Sequence, residues 1–189
     1  SQLQKGTNAM GAILGDGWYR GYLAWEDNRN VYGNQLALLA QLEITFKDGS
    51  EKIISTDNTW KSSYGPIRKS DIYNGETYDA RKELNGWDEP GFQAESWAGT
   101  SYHSYPKENL IAPDDPPVRK IKKIRPKNII YTPEGDTIFD MGQNMVGWIK
   151  LNINGDQGQT IRLKHAEVLD KEGNLYTKNI RAADQSVKY

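Results

Sequence analysis

The stretch from Leu36 to Phe46 limits the possible folds of this 189-residue chain more than any other. Its apolar side chains recur at every second position: Leu36, Leu38, Ala40, Leu42, Ile44 and Phe46. Because successive side chains of a strand point to opposite faces, this period of two indicates a β-strand with one buried face. Asp48-Gly49 follows directly and is a strong hairpin signal. The sequence therefore predicts a hairpin that returns through Ile53 and Ile54.

Short apolar stretches separated by turn residues predict strands along the rest of the chain. The further candidate strands are 9–14 (expected to be buried), 60–63, 129–131, 137–140, 147–153, 160–165 and 186–189. Three prolines within Pro113–Pro117 cannot join a central sheet and mark a module boundary. We predict an all-β protein with two β-sandwich, jelly-roll-like modules at 1–112 and 113–189. The second is expected to be incomplete at its C-terminus, and truncation of the first stays open.

Composition excludes several classes of function. The chain has 24 basic and 25 acidic side chains, a net charge of −1, no cysteine and two histidines. It therefore forms no disulfide or His/Cys zinc cluster. The near-neutral balance predicts neither nucleic acid nor membrane as a partner. The basic cluster at 119–127 lacks base-stacking aromatics, so we interpret it as a solvated edge strand. The apolar run Leu36–Ala40 is too short to cross a bilayer.

The segment Gly15–Gly21 concentrates three glycines, two adjacent aromatic side chains, an acid and a guanidinium. Trp18 and Tyr19 offer flat faces with a polar edge, which suits contact with a sugar. The alternative is a tight turn whose Trp18 plugs the end of a β-core. Both interpretations stay open on the sequence alone.

The segment Asp71–Arg81 is unusually rich in side-chain oxygen, tyrosine and arginine for plain scaffolding. One interpretation is a ligand-contacting surface. The other is a hairpin corner at Asn74-Gly75 together with an Asp79–Arg81 ion pair. His165 and Glu167 are interpreted as structural, because the deaminase-type signature also needs a cysteine pair.

Four blocks carry a resemblance to a known family: 8–21, 71–81, 139–148 and 165–170, containing GDGWYRG, DIYNGETYDAR, FDMGQNMVGW and HAEVLD. In this order they resemble the N-terminal β-sandwich modules of bacterial α-L-rhamnosidases of glycoside hydrolase family 78. The resemblance implies a parent enzyme that hydrolyses terminal α-L-rhamnosyl bonds with inversion. It also implies that the acid and base lie in a helical barrel after Tyr189, so no catalytic residue is assigned here.

The expected partners are a rhamnose-containing glycan and the catalytic barrel of the same parent chain. Some family sandwich modules are similar to a calcium-assisted rhamnose-binding module, which makes calcium the candidate cofactor. The candidate sugar-binding residues are Asp16, Trp18, Tyr19, Arg20, Trp25, Glu76, Asp79 and Arg81. The candidate calcium ligands are Asp27, Asn28 and Asn74, whose oxygens suit a hard cation.

Four functions stay open for this chain. It is a scaffold or carbohydrate-binding accessory of the enzyme, a calcium-assisted lectin-like module, a stand-alone protein-interaction module, or a complete small glycosidase. The compartment stays open among the extracellular space, periplasm and cytoplasm of a bacterium.

Overall fold

The computed structural model describes residues 3–24 and 27–189, and its regular structure is almost entirely β. The predicted all-β class is confirmed. One four-residue helix, α1 (Gly17–Arg20), and two 3-10 turns, Ala80–Lys82 and Lys178–Ile180, complete the elements. Within these residues no helix has the length and apolar character needed to cross a bilayer.

Six strands lie in the first part of the chain: β1 (Gln41–Thr45), β2 (Glu51–Ser55), β3 (Lys61–Ser62), β4 (Ile67–Asp71), β5 (Gly75–Tyr78) and β6 (Ala98–Gly99). Six more lie in the second part: β7 (Asn128–Tyr131), β8 (Thr137–Asp140), β9 (Arg162–Lys164), β10 (Val168–Leu169), β11 (Leu175–Tyr176) and β12 (Ser186–Lys188). Most strands form antiparallel pairs: β1 with β2, β3 with β6, β7 with β8, and β10 with β11.

The predicted first hairpin is present. β1 and β2 pair from Gln41↔Ser55 to Thr45↔Glu51, around a turn in which Gly49 has φ +84°. The Asp48 carboxylate accepts a hydrogen bond from the backbone N–H of Ser50, which fixes the turn. The strand is shorter than predicted because it begins at Gln41 rather than Leu36. Residues 36–40 retain the alternation of half-buried and exposed side chains, but no strand of the described residues pairs with them.

The largest sheet has the order β4-β5-β12-β9 and combines two strands from the first part of the chain with two from the second part. β12 lies between β5, with which it is parallel, and β9, with which it is antiparallel. β4 and β5 form a hairpin around the predicted corner at Asn74-Gly75. A strand from the last four residues therefore completes a sheet that begins near residue 67. The predicted boundary between residues 112 and 113 stays a prediction.

Two predicted strands are absent from the described structure. Residues 9–14 and 147–153 adopt no regular structure, and their apolar side chains are exposed, as in Ile13 (68%) and Trp148 (61%). The basic segment 119–127 is also exposed, as predicted, but it forms no strand. A strand needs a neighbour to pair its backbone groups, and the described residues provide none for these segments.

The described residues contain no fully buried apolar side chain. The accessible surface of the chain is 16653 Å². A compact monomer of 21.4 kDa exposes only roughly 9,000 Å² by the usual scaling of surface with mass. The sheets therefore leave open the apolar faces on which a sandwich core is built.

Candidate functional site

The first candidate site is built around the Asp16 carboxylate at the start of α1. Its Oδ1 accepts a hydrogen bond from Nε of Arg20 at 2.6 Å, and its Oδ2 accepts one from an Nη2 of Arg29 at 3.0 Å. Only 13% of the Asp16 side chain is exposed, against 44% of Arg29. Two guanidinium groups on one carboxylate leave this cluster with one excess positive charge, next to solvent.

The aromatic side chains of α1 stand beside this cluster. Trp18 is 57% exposed and Tyr19 is 42% exposed. The interpretation that Trp18 plugs a core is therefore wrong, because the described residues offer no core around its ring. The guanidinium of Arg29 lies 5.6 Å from the centre of the Tyr22 ring, in cation–π geometry. An exposed ring next to charged hydrogen-bonding groups is an arrangement that suits a polyhydroxylated ligand.

The Asp71 carboxylate connects this loop to the corner between β4 and β5. It accepts hydrogen bonds from the backbone N–H groups of Tyr22, Tyr73 and Asn74, each at 2.9 Å. Partial burial raises the pKa of Asp71, but these three donors outweigh burial and the net pKa is lowered. The bond to Tyr22 spans 49 positions of sequence, so Asp71 holds the candidate loop against the sheet.

The predicted residues Glu76, Asp79 and Arg81 lie along and beyond β5. Glu76 faces Ser70 across the hairpin, and Ser70 lies within 4 Å of the space where a β-carbon on Gly15 would stand. Asp79 and Arg81 lie at the other end of β5. Their side chains form a two-pronged ion pair, with Nε–Oδ1 and Nη2–Oδ2 distances of 2.7 and 2.8 Å.

This ion pair confirms the structural alternative for the end of the Asp71–Arg81 block. The hydrogen bonds from Arg81 lower the pKa of Asp79 to about 2, despite some opposing desolvation. The proposed role of Asp79 and Arg81 in sugar binding stays a prediction.

The predicted calcium ligands lie in two different turns. Asp27, with φ +53°, and Asn28 belong to the loop closed by the bridge between Tyr22 and Arg29, whereas Asn74 lies in the β4–β5 corner. Within residues 3–24 and 27–189, no three His, Asp or Glu side chains gather where they would share a metal ion. The calcium prediction rests mainly on amides and stays a prediction. Trp25 lies outside the described residues.

Sequence reasoning missed two features of this region. The first is Arg29 as the second partner of Asp16, which only the folded loop brings near. The second is the central role of Asp71. The sequence contained a signal for it, because an Asp three residues before Asn-Gly often accepts backbone hydrogen bonds of the following turn.

His165 and Glu167 do not bond to each other. The His165 ring nitrogen Nδ1 lies 3.0 Å from the Gln185 carbonyl oxygen, next to the pairing of β9 with β12. Glu167 accepts a hydrogen bond from Asn144 at 3.3 Å. Both contacts hold the second part of the chain together, which agrees with their structural interpretation.

Comparison with known proteins identifies two adjoining family domains. Residues 1–122 match the alpha-L-rhamnosidase N-terminal domain, and residues 130–189 match the bacterial alpha-L-rhamnosidase concanavalin-like domain. The alpha-L-rhamnosidase of Streptomyces avermitilis is 40% identical over 190 residues, which cover 100% of this chain and 18% of that protein. An alpha-L-rhamnosidase of Formosa agariphila is 36% identical, over 91% of this chain and 18% of its own length.

Solved structures agree with these matches. The alpha-L-rhamnosidase of Aspergillus terreus superposes with a TM-score of 0.86 and 43% identity, over 93% of this chain and 20% of that one. The Streptomyces avermitilis enzyme in complex with L-rhamnose gives 0.82 and 39%, over 92% of this chain and 17% of its own. The chain thus spans about a fifth of the length of these relatives. From these matches and its β-rich architecture, the chain belongs to the α-L-rhamnosidase family and comprises N-terminal and concanavalin-like domain sequence.

Proposed function

We propose that this chain is the non-catalytic β-sandwich portion of an α-L-rhamnosidase and that it supports the catalytic part of the parent enzyme. The observation that carries the proposal is the open architecture. The described residues bury no apolar side chain completely, and the chain exposes 16653 Å² of surface. Such faces require another layer of protein to form a core.

The exposed apolar side chains are spread over several sheets. Ile53 in β2 and Ile129 in β7 are both more than half exposed, and Val146 is completely exposed. Large exposed apolar patches mark contact surfaces in soluble proteins. The matched relatives are about five times longer than this chain, so they contain ample protein to cover these faces.

The acids of the candidate site also favour a supporting role. Glycoside hydrolysis needs a carboxylic acid with a raised pKa and a second carboxyl group opposite it. The pKa values of Asp71 and Asp79 are instead lowered, by backbone donors and by Arg81 respectively. Asp16 is held between two guanidinium groups. All three carboxylates accept hydrogen bonds from within the chain, which favours a supporting role.

The test compares the full-length enzyme with the same enzyme lacking this chain. We expect the deletion to lower the melting temperature and soluble yield of the catalytic part. We also expect the isolated chain to release no nitrophenol from nitrophenyl α-L-rhamnoside. Turnover by the isolated chain would identify a complete small glycosidase instead. An unchanged melting temperature after deletion would contradict the supporting role and favour a stand-alone interaction module.

A second function, rhamnose binding, is favoured by the exposed Trp18 and Tyr19 beside the Asp16 cluster. Calorimetric titration with L-rhamnose, with calcium and then with a chelator, tests it. Binding that weakens at least tenfold in Trp18→Ala supports this site. Loss of binding with chelator, reproduced by Asp27→Ala or Asn74→Ala, supports the calcium prediction. Absence of binding in every titration contradicts both the rhamnose-binding function and the calcium prediction.

A further inference from the structure

Three asparagines of the chain are followed directly by glycine, at Asn74-Gly75, Asn85-Gly86 and Asn154-Gly155. Asparagine is chemically labile, and glycine favours its reaction because no β-carbon shields the backbone nitrogen that attacks the asparagine side chain. The attack also requires the backbone to rotate between the two residues. Since the three dipeptides are identical, their surroundings in the folded chain decide which of them reacts.

The pair Asn74-Gly75 is held at the corner between β4 and β5. The backbone N–H of Asn74 donates to the Asp71 carboxylate at 2.9 Å. Gly75 pairs with Asp71 across the hairpin, and its backbone lies so close to Ser186 of β12 that a β-carbon would overlap with it. Rotation at this pair therefore requires β5 to open from its neighbours.

The pair Asn85-Gly86 lies at the centre of a hydrogen-bonded turn. The backbone N–H of Trp87 donates to the carbonyl oxygen of Leu84 at 3.1 Å, and the carbonyl oxygen of Gly86 accepts from the N–H of Glu89 at 2.9 Å. Gly86 is half-buried and has φ +75°, a conformation that glycine tolerates in turns. Rotation at this pair would break both hydrogen bonds.

The pair Asn154-Gly155 has no comparable restraint. Among the residues that the structure describes, the segment 149–155 has no regular structure and forms no hydrogen bond or ion pair. Asn154 and Gly155 are both exposed. The space beside Gly155 where a β-carbon would stand contains only the flexible side chain of Gln159. The backbone can therefore rotate here without the opening of any other element.

We propose that Asn154 is a site of spontaneous deamidation in the folded chain, whereas Asn74 and Asn85 are protected. The backbone nitrogen of Gly155 loses its proton and attacks Cγ of Asn154, and the new N–Cγ bond closes a cyclic imide. The Cγ–Nδ2 bond breaks, and the side-chain nitrogen takes up a proton and leaves as ammonia. Water then adds to one of the two imide carbonyl groups and opens the ring to aspartate or isoaspartate. No group is oxidised or reduced.

Either product adds a negative charge to a chain whose net charge is −1. Isoaspartate also lengthens the backbone, which then passes through the former side chain. Because the segment 149–155 bonds to no other described part of the chain, both products fit without the loss of a hydrogen bond. The modified chain is therefore a more acidic form with the same fold.

The experiment incubates the folded chain in mildly alkaline buffer, and the unfolded chain in the same buffer with guanidinium chloride. Peptide mapping by mass spectrometry follows each asparagine separately, because trypsin cuts after Lys69, Arg81, Lys150 and Arg162 and so places the three in different peptides. In the folded chain we expect Asn154 to react at least about tenfold faster than Asn74 and Asn85, whose reaction needs local opening. In guanidinium chloride the three rates should become similar.

Two glycine variants test the route of the reaction. Gly155→Ala places a β-carbon beside the attacking nitrogen and should slow the reaction of Asn154 by at least about tenfold. Gly147→Ala is the matched control, because Gly147 is also exposed and irregular, has open space around it and does not follow an asparagine. This control should leave the rate at Asn154 unchanged.

An unmodified Asn154 in the folded chain overturns the proposal, and so does a reaction at Asn74 or Asn85 that is equally fast. If the same order of rates persists in guanidinium chloride, sequence rather than structure sets it, and the structural argument fails. An unchanged rate in Gly155→Ala contradicts the imide route. Unfolding of the acidic form at a lower guanidinium concentration than the unmodified chain would contradict the conservation of the fold.

Discussion

Gly75 and Ser186 meet backbone to backbone where two distant parts of the chain form one sheet. A β-carbon on Gly75 would overlap with the carbonyl oxygen of Ser186, and Gly75 also has φ +70°. No L side chain fits both constraints without displacing β12. This glycine therefore makes the parallel pairing of β5 with β12 possible.

We predict that Gly75→Ala destabilises the folded chain by about 2–4 kcal/mol, because it combines a strained φ with steric overlap. The free energy of unfolding from urea denaturation measures the effect. Gly99→Ala is the matched control, because the space around Gly99 is open and its φ is not left-handed. Equal stability of the two variants would contradict the steric overlap of a Gly75 β-carbon with β12.

Replacing Asp71 tests the anchor of the candidate loop. Asp71→Ala removes the acceptor of three backbone N–H groups and should cost about 2–3 kcal/mol of stability. Because the folded pKa is lowered, the ionised carboxylate stabilises the fold above its unfolded pKa, and this contribution is lost as pH falls through the folded pKa. We therefore expect the stability gap between wild type and variant to narrow in acid.

Asp88→Ala provides the comparison for this prediction. Asp88 is exposed and makes no such bonds within the described residues. Its replacement should change the stability by less than about 0.5 kcal/mol. A similar loss in both variants would mean that Asp71 does not hold the loop.

Tyr78 is expected to ionise unusually late. Burial, and then the hydrogen bond from its hydroxyl group to Glu83 at 2.8 Å, raise its pKa to about 12. Its ring also stacks on that of Tyr189, with centres 5.3 Å apart. Ultraviolet titration of the phenols should show one late transition that disappears in Tyr78→Phe.

The sign of the linked stability effect follows from the raised pKa. The folded chain retains the Tyr78 proton between about pH 10 and 12, where the unfolded chain releases it. Stability should therefore fall with rising pH across this window, and fall less in Tyr78→Phe. Identical slopes for both proteins would contradict the raised pKa.

The Asp79–Arg81 pair predicts a carboxyl group that stays ionised in acid. Carboxyl NMR titration should give Asp79 a pKa of about 2, and Arg81→Met should return the pKa toward the ordinary aspartate value of 3.8. Because the folded pKa is lowered, the pair stabilises the fold above about pH 4 and loses this effect toward pH 2. Lys82→Met, which removes a charge but not the hydrogen bonds, should move the Asp79 pKa much less. A comparable pKa change in both variants would assign the effect to general charge.

The local features of this fold were predictable from sequence. The hairpin around Asp48-Gly49 and the Asp79–Arg81 pair join residues that are close along the chain, so periodicity and turn chemistry were sufficient to identify them. The length of the first strand was not predictable. Residues 36–40 have a strand-like pattern, but a strand also needs a pairing partner, and a pattern does not reveal whether one is present.

The non-local features could not be predicted. The contact of Arg29 with Asp16, the bond of Asp71 to Tyr22 and the parallel pairing of β5 with β12 all depend on where the folded chain returns. The contact of the Trp87 ring with the backbone of Gly11 is similar, because it joins residues that are far apart in the sequence. Both residues were visible in the sequence, but their contact was not.

The position of β12 has a consequence for how this protein emerges from the ribosome. β5 acquires its parallel neighbour only from residues more than one hundred positions later. During synthesis, the side of β5 that later pairs with β12 stays unpaired while the intervening chain is made. Long-range pairing of this kind is slow and leaves an edge open to wrong partners. Slow synthesis of the intervening chain is therefore expected to prolong the exposure of this edge to wrong partners.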